Sequence, residues 1–395
     1  MLQNKIVVFI LFAFSTIIFF GCNDSPTDLG SEYLTQDGVI ISKFDTSVDS
    51  MDQTFTPFIH VYSLASSDFV MVGAAENVTS QVLMKFVFGF ADSIQQSILN
   101  DSIIIKDAWI EMYKDYHFGD STANFDYEVR KINNLWTASF SADSFSTLTY
   151  DATDLSSEHN IDSDTLYTFR IDHSLVESWL LHYADTTQAS NNGILISPTA
   201  STRQIIGFTG YNYDAVDDPQ LKIVFEKPGV YSDTITGYIS SDISIVRGEM
   251  PSVSSENVAL QSSLSAQGIL YFDLSVIPDD AVVNSATLTL TVDESETKTG
   301  STYTNSLRAY LFATTDTTDY GVNSDYVETL SRNNNTFTGS VTDIVRGIHS
   351  GTNNEGFLIK NSSDLNGVEI FAIKGSNAAN ISERPRLEII YSRKK

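Results

Sequence analysis

Three alternate residues, Trp109, Glu111 and Tyr113, stand out in the run Asp107-Ala-Trp-Ile-Glu-Met-Tyr113. Successive side chains of an extended strand point to opposite faces, so Ala108, Ile110 and Met112 should turn inward and the trio outward. Sugar rings present C–H faces that pack on aromatic rings, and a nearby carboxylate can accept hydroxyl hydrogen bonds, so the trio is a candidate carbohydrate site. The plainer expectation is that a loop, residues 89–106 or 114–128, lies over this face and buries Trp109 and Tyr113. Tyr211 and Tyr213, flanking Asn212, form a second-rank binding candidate. Trp136 and Trp179 sit among apolar neighbours and are expected in the core.

Catalytic patterns are missing from the chain. There is no Gly-x-Ser-x-Gly elbow, phosphate loop, dinucleotide fingerprint, His-Glu-x-x-His or calcium-loop consensus. The six histidines, at 60, 117, 159, 173, 182 and 349, lack metal-ligand spacing. Carboxylate pairs such as Asp162/Asp164, Asp217/Asp218 and Asp279/Asp280 are expected by abundance alone, and Asp279-Asp280 after Pro278 reads as a turn. A polysaccharide hydrolase or lyase would need two carboxylates held at a set separation across a cleft. The expectation is therefore a non-catalytic protein with no cofactor. A structural calcium ion bridging loop oxygens would suit an exported acidic sandwich, but no ligand set can be read.

Cys22 is the one cysteine of the chain, so no intramolecular disulfide can form. It follows Lys5, the apolar run Ile6 to Phe20 and Gly21. That layout is a signal peptide, and fifteen apolar residues fall short of the roughly 20 needed to span a bilayer. Phe19-Phe20-Gly21-Cys22 reads as a lipobox, with cleavage before Cys22 and acylation of its thiol. Residues 1–21 are thus the expected signal peptide, and residues 22–45 the lipidated cysteine and a polar, flexible tether. Several acyl chains, at about 0.8 kcal/mol per buried CH₂, make such an anchor stable. Asn23 gives no sorting signal. The expected address is a bacterial envelope, at the outer membrane or cell surface.

The elements that would hold these residues repeat along the chain. Val82 to Phe88 and Asp107 to Tyr113 answer to Gly268 to Leu274 and Ser285 to Leu290. Val176-Glu-Ser-Trp179 answers to Val345-Arg-Gly-Ile348, each a helical turn with apolar residues three apart. Asn192 to Ile196 then matches Glu355 to Ile359, and Asp218 to Phe225 matches Arg384 to Tyr391. Period-two alternation buries one face per strand. Two tandem antiparallel β-sandwiches of jelly-roll kind follow, an all-β fold. The first should cover residues 46–228 and the second 229–395, with Pro228-Gly229 between and Tyr231 to Val246 opening the second. On the outer face of the matched strand, Thr287, Thr289 and Thr291 stand where the first copy has Trp109, Glu111 and Tyr113.

Gly268 to Ser275, Ile277 to Leu290, Thr342 to Gly351, Gly356 to Ile359 and Arg384 to Tyr391 resemble successive segments of DNRLRE domains, also called disaggregatase-related repeats. The first copy is more divergent, with Trp179 where that family often has tryptophan. The resemblance implies jelly rolls appended to secreted polysaccharide-active proteins, some of them regarded as carbohydrate-binding modules. Folds of this kind host many tasks.

Composition narrows the partners. Without residues 1–21, which hold only Lys5 among charged residues, 22 basic groups face 50 acidic ones, a formal charge of −28. A nucleic-acid partner is disfavoured, since phosphates need Lys and Arg to neutralise them. The mean field also opposes anionic lipid surfaces. The expected partners are the membrane, through the N-terminal lipid, and polysaccharide. The alternative is a structural or adhesive role against another envelope protein.

Overall fold

The computed structural model describes residues 38–160, 165–211, 216–312 and 322–395. Within them the chain is all-β, built on two antiparallel sheets. Two short strands come first, β1 (Val39–Asp45) and β2 (Gln53–Ile59). The next ten make the first sheet: β3 (Phe69–Ala75), β4 (Val78–Phe88), β5 (Ile104–Gly119), β6 (Tyr127–Lys131), β7 (Ser156–Asn160), β8 (Leu166–Ile171), β9 (Ile194–Pro198), β10 (Gln204–Thr209), β11 (Gln220–Lys227) and β12 (Tyr231–Gly248). The second sheet takes β1 and β2 together with β13 (Asn257–Gln261), β14 (Ala266–Phe272), β15 (Val282–Thr291), β16 (Ser306–Phe312), β17 (Val322–Asn333), β18 (Thr336–Ser340), β19 (Phe357–Asn361), β20 (Ile370–Lys374) and β21 (Arg386–Lys394).

Alternation does what it should in the matched strands. Ala108, Ile110 and Met112 of β5 are buried in one core, and Ala286, Leu288 and Leu290 of β15 in the other. Each sheet wraps around its own core. In the first, β5 pairs with β11 along one half and β10 along the other, while β3, β4 and β12 complete the circuit back to β11. In the second, Val292 after β15 bridges to Ile373 of β20 and closes the fold from the far end.

The expected duplication is visible as repeated pairing. β4 pairs with β9 as β14 pairs with β19, β5 with β11 as β15 with β21, and β3 with β10 as β13 with β20. The helical turns also match. α2 (His173–Ala184) buries Val176 and Trp179, and α3 (Thr342–His349) buries Ile344 and Val345. Asp172 starts α2 by accepting hydrogen bonds from the backbone N–H groups of Ser174 and Leu175.

Two expected boundaries need correction. Tyr231 to Val246 does not open the second copy. It lies in β12, which pairs with β11 over residues 231–238 and with β4 of the first sheet over residues 237–248, with a bulge after Ile239. The corresponding places beside β21 and β14 are filled by β1 and β2 from the front of the chain. Each sandwich is therefore completed by the strand that precedes the other in sequence. The second correction follows from the first: residues 39–45 are a paired strand and not tether, because Phe44 packs opposite Ile389 and the Asp45 carboxylate grips Arg386.

The two units share a third apolar core. Met71, Leu83, Phe118, Ile205 and Ile243 of the first meet Ala259, Leu264, Val368 and Ile370 of the second. Tyr116 is the pin of this seam. It is fully buried, its ring stacks on Phe69, and its hydroxyl oxygen accepts the Val368 N–H at 3.0 Å. Asn77 donates across the seam to Gln261 at 2.8 Å, and Asn366 to Asp68 at 2.6 Å.

Candidate functional site

β5 carries both the seam and the candidate site because irregular register re-aims it. The pairing with β10 shifts between Gly207 and Phe208, opposite Tyr116 and Lys114. Met112 therefore faces the first core while Tyr116 turns to the seam. Gly207 makes room for that turn, since a Cβ there would lie 2.7 Å from the Cβ of Tyr116.

Ahead of this shift, Trp109, Glu111 and Tyr113 share the outer face as expected, and all three are half-buried. The indole N–H of Trp109 donates to the Glu111 carboxylate at 2.8 Å. That bond fixes the ring against the sheet and holds the carboxylate beside it. On neighbouring strands, Arg170 of β8 and Lys222 of β11 sit directly opposite Trp109, and Thr168 and Gln220 opposite Glu111. Arg170 is bound by Asp107 and Glu158. Lys222 donates to Gln220 at 2.6 Å and to Thr236 of β12 at 3.4 Å. A hollow of about 330 Å³ opens beside Trp109, lined by Asp107, Glu158, Thr168, Phe169 and Arg170. It offers donors and acceptors next to an aromatic surface, the combination that recognises hydroxyl-rich, weakly apolar ligands.

The covering loop is not found. Residues 92–99 form a helix, α1 (Asp92–Leu99), which packs on α2 and sends Ile98 into the first core, and residues 114–119 continue β5. The trio is left half-buried, where burial was the plainer expectation. Between α1 and α2 lies a second hollow of about 300 Å³, lined by Ile98, Ile103, Ile105, Leu180 and Leu181 with Asp101 and Glu177. It has no aromatic group, so it offers no ring for a sugar to stack on.

Tyr238 of β12 is a member of the outer face that sequence reasoning missed. It stands opposite Gln220, itself opposite Glu111, and is 58% exposed. Two strand spacings place it about 10 Å from β5, a span of two or three sugar rings. The alternation of Tyr231 to Val246 signalled the strand, but its assignment to the second copy hid the neighbour.

Of the second-rank pair, Tyr211 is exposed in the connection between β10 and β11, and its backbone N–H donates to Asp242 at 2.9 Å. Burial pushes the Asp242 carboxyl up to about 6. Tyr211 is tied to β12 by this bond, and among the described residues it makes no hydrogen bond to the trio. Tyr213 and Cys22 lie outside the described residues. Trp136 and Trp179 are buried, Trp136 donating to the carbonyl of Asn192 at 2.8 Å. In the second sheet the equivalent face is threonine-lined, with Thr289 and Thr338 hydroxyls 3.1 Å apart.

Among the described residues no group of three His, Cys, Asp or Glu side chains is arranged to hold a metal ion. Among them, too, no helix is long and apolar enough to cross a membrane. No protein-family model matches the chain, and a search of curated proteins finds no match.

Proposed function

We propose that the protein is an envelope lipoprotein, acylated at Cys22, that binds polysaccharide without cleaving it on the outer face of β8, β5, β11 and β12. One observation carries the reading: Trp109 is half-exposed, oriented by Glu111, and set beside a hollow lined with charged and hydroxyl groups. An indole whose N–H is already satisfied offers its ring to the C–H face of a sugar, and the second oxygen of Glu111 stays available to sugar hydroxyls. The threonine face of the sister sandwich supports a site confined to the first. The resemblance to DNRLRE domains points the same way. Trp109→Ala should abolish retardation in glycan affinity electrophoresis and leave the melting temperature nearly unchanged. A large loss of stability with unchanged retardation would sink the assignment.

A structural or adhesive role is the second reading, favoured by the apolar seam that joins the two sandwiches. Glycan arrays would then stay blank, and a pull-down from the protein's own envelope would recover a stoichiometric protein partner.

A further inference from the structure

The second sandwich ends in a surface unlike the rest of this acidic molecule. On the outer face of β1, β21 and β15, Ile41, Ser392 and Val282 lie in one register row, and Val39 lies opposite Lys394. Val39, Ile41 and Val282 are 64%, 71% and 63% exposed. β1 is also the last strand of its sheet among the described residues, so its outer backbone edge is unpaired there. Bare apolar edges are normally covered or charged, because they invite association.

Lys394 shares the face of this patch, Arg393 points to the other side of β21, and Lys395 follows at the end of the strand. Arg393, Lys394 and Lys395 follow one another, and the backbone N–H of Lys395 donates to the carbonyl of Gly38 at 2.8 Å, which sets them against the start of β1. None of the three joins an ion pair among the described residues. Lys43 and Arg386, further along the same strands, are by contrast held by Glu388 and Asp45. Asp279 and Asp280 border the patch on the turn before β15.

We propose that this apolar and basic end rests on a bilayer surface bearing anionic phosphate headgroups. The inference rests on the lipid-anchor reading of Cys22. Only residues 23–37, fifteen of them, separate that cysteine from Gly38. Even fully extended, fifteen residues reach no more than about 50 Å, which keeps the patch within that distance of the lipid. The overall negative charge is screened beyond about 8 Å at physiological salt, so the local balance of three cations against Asp279 and Asp280 decides the contact and the rest of the acidic surface turns outward. A second copy would bring like charges together at the same edge, which disfavours self-pairing.

The test uses the full chain purified from membranes of expressing cells and mixed with vesicles of phosphatidylcholine, with or without phosphatidylglycerol. Hydrogen exchange is followed in peptides covering residues 38–45 and 278–284, with residues 133–140 as control. Exchange in the first two should be roughly threefold slower or more on phosphatidylglycerol vesicles, and the triple variant R393E/K394E/K395E should lose that protection. Equal exchange on both vesicles and in solution overturns the proposal. So does protection that appears with protein concentration in the absence of lipid, which assigns the edge to a second copy. Intact mass of the same sample reports acylation separately. Unacylated protein that is still protected keeps the surface and sinks the anchor, and acylated protein without protection does the reverse.

Discussion

In the proposed glycan site Trp109 would supply the ring and Glu111 the charge, and each half can be removed by itself. Glu111→Gln keeps an acceptor for the indole N–H but gives up the charge-assisted bonds of the carboxylate. It should weaken glycan retention by about tenfold, where Trp109→Ala removes it, and affinity electrophoresis separates the two outcomes. Tyr116 lies a few residues further along the same strand and does opposite work. It is wholly buried, and Gly207 and Gly300 both leave space for its ring. Tyr116→Ala empties the seam and leaves the Val368 N–H unsatisfied, so thermal or denaturant unfolding should show a loss of roughly 3–5 kcal/mol, with glycan binding retained by the folded fraction.

At the scale of strands and helices, completion of each sandwich by the other's leading strand sets where the chain can be cut. A fragment of residues 46–228 lacks β12, and one of residues 229–395 lacks β1 and β2, so neither should give dispersed amide resonances or a cooperative melt. A fragment of residues 61–250 retains every strand of the first sheet and should come closer to folding, limited by the exposed seam. Sequence pattern made the strands and their inward faces legible, because period-two alternation depends only on burial: Ala108, Ile110, Met112, Ala286, Leu288 and Leu290 all lie inward. The outward trio was legible for the same reason. Partner choice was not: Tyr231 to Val246 read as an alternating strand and residues 39–45 as tether, and nothing local tells a strand which sheet it will join. The helix α1 was equally hidden. Its eight residues include two glutamines and two serines, and only its docking on α2 makes the apolar stripe of Ile94 and Ile98 useful.

The whole molecule carries its most unusual charge in the seam. Glu369 is buried there near the Tyr116 and Ser262 hydroxyls and the Gly300 backbone, and burial pushes its carboxyl up to about 7. A raised folded value means that the native state holds a proton the unfolded chain releases. The resulting stability is full below the ordinary value of 4.5 and fades as pH rises through about 7. Asp242, pushed up to about 6 by burial, adds to the same trend. Asp45 and Asp293 work in the opposite sense at lower pH. The Arg386 hydrogen bond holds the first below the usual carboxylate range, and hydrogen bonds from Ser295, Lys374 and Asn257 do so for the second. Melting temperature should therefore fall between about pH 4.5 and 7, and Glu369→Gln should flatten that slope. An unchanged slope in the variant would place the proton elsewhere.

The pairing of Val39–Asp45 with Glu388–Lys394 also fixes a timetable. A ribosome makes β1 long before β21, so β1 emerges with more than three hundred residues still to come. Until then the sequence Val-Ile-Ile-Ser-Lys-Phe-Asp has no native partner, and closure must await the last strand. Such a protein cannot mature piece by piece as it emerges, and holding chaperones should find a foothold at the waiting β1 strand.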